Sequence, residues 1–252
     1  MALYRDQGVV LRTIKLGETD RIVTMLTRGN GKVRAVAKGV RKPGSRFGAR
    51  LEPTSHIAFQ CYRGRELDIV TQVETIDANR PLREHYGSLT HAVSMLEAVD
   101  QVALEREPNH ALYRMLESAL RTLAREPSPI VSAAFFWKLL SLEGFHPMLD
   151  ACARCGRASA DAHEDGDGDA APVPFVAFDL GEGGVLCAAC SHLGGRRTSS
   201  ETLAVVQRIV GGQVRGVLDD PPPEAVLREV ERLAIAALEY ASDRRLRSAA
   251  LL

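Results

Sequence analysis

The chain has no run of 18 or more apolar residues, so no membrane-spanning helix is expected. Its first residues, Met1-Ala-Leu-Tyr-Arg-Asp-Gln-Gly8, lack the basic start and apolar core of a secretory signal, which makes the cytoplasm the expected location. Cysteine is scarce: five in 252 residues, four of them in two close pairs. That usage does not build a disulfide framework and fits a reduced compartment with a metal. Catalytic signatures are missing as well. There is no Gly-x-Ser-x-Gly elbow and no His-Glu-x-x-His. Gly31-Lys32-Val33 has neither the upstream glycine nor the following Ser/Thr of a phosphate-binding loop. His56, His85, His91, His110 and His146 stand apart without ligand spacing, so an enzyme is not expected.

Net charge is also absent, 32 Lys and Arg against 32 Asp and Glu, but the average hides an uneven distribution. Residues 28–65 carry ten basic side chains against one acid, Glu52, whereas residues 158–182 carry seven acids and no Lys or Arg. A concentrated basic stretch raises the local anion concentration and points to a polyanion partner.

The most specific chemical signal is a pair of Cys-x-x-Cys motifs, Cys152-Ala-Arg-Cys155 and Cys187-Ala-Ala-Cys190. Two such pairs complete the tetrahedral four-sulfur shell that Zn²⁺ favours, and four protein ligands leave no position for a reactive water. One structural Zn²⁺ is therefore expected. The 31 residues between the pairs exceed the usual spacing because 161–172 is an acidic, glycine-rich insertion with the composition of a flexible loop. Asp165-Gly-Asp-Gly-Asp169 fails calcium-loop spacing, with Ala170 where glycine is needed and Val176 where the bidentate Glu belongs. His192 could replace a sulfur, but two complete pairs make the four-cysteine set simpler. A redox dithiol would need one pair at a helix start in a βαβ pattern, which is not found.

Residues 1–80 read as five strands: Gln7 to Leu16, Arg21 to Thr27, Lys32 to Lys38, Ser55 to Tyr62 and Glu66 to Ile76. Gly29-Asn30-Gly31 and Arg63-Gly64-Arg65 supply hairpin turns. Alternation puts Val33, Ala35 and Ala37 on one face and Lys32, Arg34 and Lys38 on the other. This content suits a small OB-type barrel. From Pro81 the period becomes helical, with a stripe of Leu82, Tyr86, Leu89, Val93, Leu96 and Val99. A second helix follows Glu107-Pro108-Asn109. A third, Ile130 to Leu142, is capped by Ser128-Pro129. Thr198-Ser-Ser-Glu201 reads as a capping box for a helix that Gly211-Gly212 closes, and Pro221-Pro-Pro223 precedes the last helix, Glu224 to about Arg245. The expected division is thus an OB domain over 1–80 and a helical domain over 81–252, with the Cys₄ module inserted at 150–197.

Between the third and fourth strands, Ala37-Lys38-Gly-Val-Arg-Lys-Pro-Gly-Ser-Arg-Phe-Gly-Ala-Arg50 combines cations, glycines and one aromatic. Glycines admit a phosphate backbone and Lys and Arg supply charge and forked donors. Lys32, Arg34, Lys38, Arg41, Lys42, Arg46 and Arg50 are the candidate DNA-binding residues. Phe47 either stacks on a base or folds back onto the barrel. Neutralising about six phosphates would weaken binding by about three orders of magnitude between about 50 and 200 mM salt.

These residues resemble the bacterial recombination mediator family RecO. The resemblance runs nearly end to end. It shows in Gly8-Val-Val-Leu-Arg12, Glu18-Thr-Asp-Arg-Ile22, Gly31-Lys-Val-Arg-Ala-Val-Ala-Lys-Gly-Val-Arg41 and Phe47-Gly-Ala-Arg-Leu-Glu-Pro53. It continues in Glu143-Gly-Phe-His-Pro-Met-Leu-Asp-Ala-Cys-Ala-Arg-Cys-Gly156, in Gly183-Gly-Val-Leu-Cys-Ala-Ala-Cys190 and in Arg245-Leu-Arg-Ser248. The acidic insertion departs from the family's pattern. The resemblance implies a DNA-repair role without catalysis: binding single- and double-stranded DNA and annealing complementary strands at the nucleoid. It also implies RecR as a partner, contact with the acidic tail of single-strand-binding protein, and help in loading the RecA recombinase. Readings from other classes are a sequence-selective zinc-ribbon regulator, separable by competition between unrelated DNAs, and a dithiol enzyme, separable by turnover of a disulfide.

Overall fold

Five strands close into a barrel in a computed structural model that describes residues 2–45, 47–158 and 173–252. They are β1 (Leu3–Leu16), β2 (Asp20–Thr27), β3 (Gly31–Ala37), β4 (His56–Tyr62) and β5 (Asp68–Asp77), hydrogen-bonded in the order β1-β2-β3-β5-β4. All neighbours are antiparallel except β3 and β5. This is the closure of an OB-fold. The alternation of β3 holds: Val33, Ala35 and Ala37 are fully buried inside, Lys32 and Arg34 face outward. Each large apolar side chain so buried contributes about 1.5–3 kcal/mol. Strand β1 starts at Leu3, earlier than expected, because its first half pairs with β4 (Leu3 opposite Tyr62, Arg5 opposite Gln60) and its second half with β2. That polar opening carries no alternation of its own, so pairing alone makes it a strand.

The two turns differ in their use of glycine. Gly31 has φ +63°, and a Cβ there would lie 2.1 Å from the Glu107 carbonyl oxygen, so both backbone conformation and close approach require glycine. Arg63-Gly64-Arg65 is not the tight hairpin expected. Residues 63–67 form a longer loop, closed by the Gly64 N–H donating to the Asp68 carboxylate at 2.9 Å.

Helices α1 (Arg80–Glu84), α2 (Tyr86–Val102) and α3 (His110–Arg125) belong to the same compact unit as the barrel, with a short 3₁₀ turn at Arg247–Leu251. The single apolar stripe expected from Leu82 is broken at His85, whose extended backbone restarts the helix. Tyr86 is consequently 70% exposed, and the buried face of α2 runs through Ala92, Met95, Leu96 and Val99. Helix α3 is capped by Asn109, which accepts from the Leu112 N–H at 2.9 Å. Helix α2 and residues 103–106 cover the outer side of β1–β3. Lys32 donates its backbone N–H to the Leu104 carbonyl, Arg106 donates to the Lys32 carbonyl, and outward Thr24 and Leu26 are each 1% exposed. The strands end near the expected boundary at 80, whereas the compact units divide at Pro127 and Ser128.

The second unit, Ser128–Arg245, is built on α4 (Pro129–Leu142) and α8 (Glu224–Ser242), with α6 (Ser200–Val210) and α7 (Val214–Asp219) against α4. Helix α4 is buried on nearly every side, as its composition predicts, and Ser128 accepts from the Ile130 N–H with Pro129 in the first turn. The expected capping box is displaced by one residue. Thr198 stays extended because its N–H donates to the Val176 carbonyl, so Ser199 caps α6 by accepting from the Thr202 N–H at 3.1 Å. Helix α7 is too short to show a sequence period. Between α4 and α6 lies a three-stranded sheet, β6 (Phe175–Asp179), β7 (Gly184–Cys187) and β8 (Arg196–Arg197), in the order β7-β6-β8. A one-turn helix, α5 (Ala188–Ser191), follows β7. Phe178 of β6 meets Trp137 of α4 edge-on at 5.7 Å between ring centroids, which seats the sheet on the helical core.

Candidate metal centre and nucleic-acid interface

The sulfur atoms of Cys152, Cys155, Cys187 and Cys190 all lie within 4.8 Å of one another, with Cys155 and Cys187 at 3.8 Å. A tetrahedron with bonds of about 2.3 Å has edges of about 3.8 Å, the size suited to Zn²⁺. Backbone pairing holds both motifs. The Ala153 N–H donates to the Val185 carbonyl, Val185 donates to Met148, and the Gly156 N–H returns to the Cys152 carbonyl. The Cys187 N–H points at the Cys152 sulfur at 3.5 Å, the arrangement that stabilises a thiolate. Cys152 and Cys187 are buried and Cys155 is exposed. The Cys155 thiol is lowered to about 6, chiefly by the Arg157 backbone N–H and then its guanidinium. Burial pushes Cys190 up to about 12, reinforced by hydrogen bonding with the neighbouring sulfurs. Arg154 is tied to Asp179 at 3.3 Å and Glu182 at 3.4 Å, so it braces the module from within. The four-cysteine set can hold a metal ion. The acidic segment 161–172 lies outside the described residues.

The seven cationic candidates separate into groups. Lys32 is 14% exposed, donates its ammonium to the Asp100 carbonyl at 2.6 Å and lies 3.6 Å from that residue's carboxylate. Arg34 lies 3.9 Å from the Glu105 carboxylate, at the edge of the covered face. Lys38, Arg41, Lys42 and Arg50 are exposed on the 38–50 loop, and Arg46 lies outside the described residues. The loop is fastened to the β1–β2 turn. Asp20 accepts from the Gly39 N–H and the Thr19 hydroxyl at 2.8 Å each, and Arg41 donates to the Thr19 and Glu18 carbonyls. Asp20 is held below the usual carboxylate range by the Gly39 N–H first, then the Thr19 hydroxyl, with Lys38 and Lys42 adding to the effect. Phe47 is 1% exposed in the barrel core, so it does not offer a ring for stacking. The turn Gly48–Leu51 returns the chain to the barrel and buries Leu51 beside it.

Sequence reading missed the buried charge that holds 103–106 in place. Asp68 is fully buried and accepts from both guanidinium nitrogens of Arg106 at 2.8 and 2.9 Å, from the Tyr4 hydroxyl and from the Gly64 N–H. Burial raises the Asp68 pKa, but the Arg106 and Tyr4 bonds outweigh it and the net shift is downward. Nothing in residues 66–69 marks that aspartate apart from its place at a strand start.

An OB-type barrel, a helical segment and a four-sulfur module in one chain define a multidomain α+β protein with a candidate metal centre. The family description "Recombination protein O N terminal" matches residues 1–79, and "Recombination protein O C terminal" matches residues 83–250. A protein of Cutibacterium acnes named DNA repair protein RecO is 39% identical over 260 residues, spanning 100% of this chain and 99% of its own. One of the same name from a Nocardioides species is 41% identical over 253 residues, spanning 98% of each chain. The chain belongs to the recombination protein O family. No helix among its described residues is long and apolar enough to cross a membrane.

Proposed function

We propose that the chain is a DNA-repair mediator that binds single- and double-stranded DNA and anneals complementary strands. With RecR it assists RecA loading onto DNA coated by single-strand-binding protein, whose acidic tail it contacts. The observation that carries the reading is the cationic 38–50 loop, fastened to the β1–β2 turn of an OB-type barrel, in a chain that matches the recombination protein O family along its length. Annealing requires no bond chemistry. Two polyanions must approach, and fixed cations lower that cost while weak base contacts let register be searched. Lys38, Arg41, Lys42, Arg46 and Arg50 are assigned to phosphate contact; Lys32 and Arg34 contribute by holding β3 to the 100–106 segment.

One Zn²⁺ is assigned to Cys152, Cys155, Cys187 and Cys190, the cluster whose spacing suits it. When bound, zinc supplies a cross-link between the two motifs. The chain's own residues do the rest: Arg154 braces β6, and Phe178 packs the sheet on Trp137.

The test is strand annealing with oligonucleotides coated by single-strand-binding protein, with and without RecR. Annealing of coated strands, and RecA loading that depends on RecR, support the reading. A chain that neither binds nor anneals DNA refutes it.

A further inference from the structure

OB-folds commonly bind oligonucleotides on the face of their second and third strands. In this chain much of that face is covered by its own α2 and 103–106 segment, with Thr24 and Leu26 at 1% exposure and Lys32 at 14%, while Arg34 at its edge stays 38% exposed. The open side of the barrel is the outer face of β4, β5 and the first half of β1, the half that pairs with β4. Its register is explicit. Arg5 stands opposite Gln60 and Gln60 opposite Gln72; one step along, Gln7 stands opposite Ala58 and Ala58 opposite Glu74. Inward Ile57, Phe59 and Cys61 lie in the barrel core, so Ala58 and Gln60 face outward.

Ala58 is the small residue in this field of long side chains, and a groove of about 470 Å³ lies over it, lined by Arg5, Arg28, Gln7, Gln60 and Gln72 together with the Asp6 and Glu74 carboxylates; the Arg5 guanidinium donates to the Gln60 side-chain oxygen at 3.4 Å. That volume falls within the range of about 300–1,000 Å³ for small-ligand sites. Arg28 reaches the groove from the β2–β3 turn. Its N–H donates to the Gln7 carbonyl at 2.8 Å, and Asp6 holds the turn by accepting from the Gly29 N–H at 3.0 Å and the Asn30 amide at 2.7 Å. The Asp6 carboxylate is therefore engaged by the turn, while the Arg28 side chain makes no ion pair among the described residues. One step beyond Gln60, outward Tyr62 is 42% exposed.

Guanidinium groups suit a phosphate, paired amides suit the edge of a base, and an exposed phenol ring suits stacking. We propose that this groove is a second nucleic-acid site that holds a nucleotide of a single strand. Arg5 and Arg28 meet the phosphate, Gln60 and Gln72 meet the base edge, and the base lies over Ala58. The proposal rests on the DNA-binding reading above and adds where a second strand sits. The cationic loop is fastened to Asp20 at one end of β2, and Arg28 follows Thr27 at the other. Eight residues of strand separate the ends by about 25 Å. Two strands can therefore be held on one barrel without sharing a surface.

The test uses the full chain, a labelled single-stranded oligonucleotide and its complement, and two independent variants: Arg5→Ala/Arg28→Ala, and Ala58→Gln, which fills the groove without removing charge. Circular dichroism melts establish that each is folded. If the double variant does not fold, Arg28→Glu alone takes its place. Annealing should slow about tenfold in both variants, and the double variant should lose about 1.4 from the log–log salt slope, two contacts at about 0.7 each. Cross-linking from a bromouracil-substituted strand should reach peptides containing Gln60 or Gln72. Wild-type annealing, slope and cross-linking pattern in both variants, with binding still weakened by Lys38→Ala/Lys42→Ala, overturn this site and leave the loop reading intact. Absence of binding by the unsubstituted chain overturns both.

Discussion

Replacing Arg106 with alanine strips a fully buried carboxylate of its counter-ion. Asp68 has no exposed surface, and two of the four hydrogen bonds it accepts come from the Arg106 guanidinium. Breaking a buried pair by removing one partner costs about 3–5 kcal/mol, because the remaining charge stays desolvated. The Arg106 side chain is 34% exposed, so solvent screening favours the lower end of that range. Removing Arg215 from its exposed pair with Asp219, an i,i+4 contact, should cost only about 0.3–0.5 kcal/mol and serves as a control. Urea unfolding of the full chain, read by fluorescence and circular dichroism, should show the midpoint for Arg106→Ala falling by about 1 M or more. Asp68→Asn/Arg106→Ala should recover part of the loss, since no buried charge is then left alone. The pH dependence has a definite sign. The Asp68 pKa is lowered in the folded protein, so its contribution is present above the unfolded value of about 3.9 and is lost as pH falls through the folded value. Without Arg106, burial dominates and the loss should begin at higher pH. A loss below about 1 kcal/mol for Arg106→Ala, or an unchanged acid transition, would refute the reasoning.

Cys187→Ser should abolish stoichiometric metal, measured by plasma mass spectrometry, and lower the melting temperature while changing DNA affinity little; full retention of metal would remove that cysteine from the ligand set. Lys38→Ala/Arg41→Ala/Lys42→Ala should weaken single-strand binding and flatten the log–log salt slope by about 2, three contacts at about 0.7 each. Unchanged affinity and slope would clear the loop of phosphate contact. The buried His56 ring, 2.7 Å from the Tyr113 hydroxyl, has its pKa lowered chiefly by burial. Its folded state favours the neutral form, so stability should decline as pH falls below about 6.5, and His56→Gln should remove that part of the decline. An identical pH profile in the variant would rule it out.

The cysteine quartet was legible because ligand spacing is a local property: two Cys-x-x-Cys pairs announce a four-sulfur site wherever the intervening chain runs. The inner face of β3 was legible for the same reason, since alternation of Val33, Ala35 and Ala37 follows from strand geometry alone. Helix α4 and its Ser128-Pro129 start were likewise local. What went astray depended on a neighbour. Thr198 and Ser199 are equally good caps, and only the hydrogen bond from Thr198 to Val176 decides between them. Tyr86 fits an apolar stripe until the break at His85 rotates it into solvent.

Charge gives the sharpest contrast between the two levels. The density of Lys and Arg over 28–65 is a fact of sequence, and it pointed to a polyanion. Whether a given cation faces water or an internal carboxylate is settled by residues distant in the chain: Asp100 engages Lys32, Glu105 approaches Arg34, and α2 covers the strand face between them. Sequence by itself determined the alternation of β3, the Ser128 cap of α4 and the candidate four-cysteine set, because each follows from bonds and spacings within a few residues. Tertiary structure alone decided that Phe47 is core, that Asp68 is buried with Arg106, and that the open barrel face is β4, β5 and the first half of β1. Burial and long-range pairing are properties of the packed chain, and no local pattern carries them.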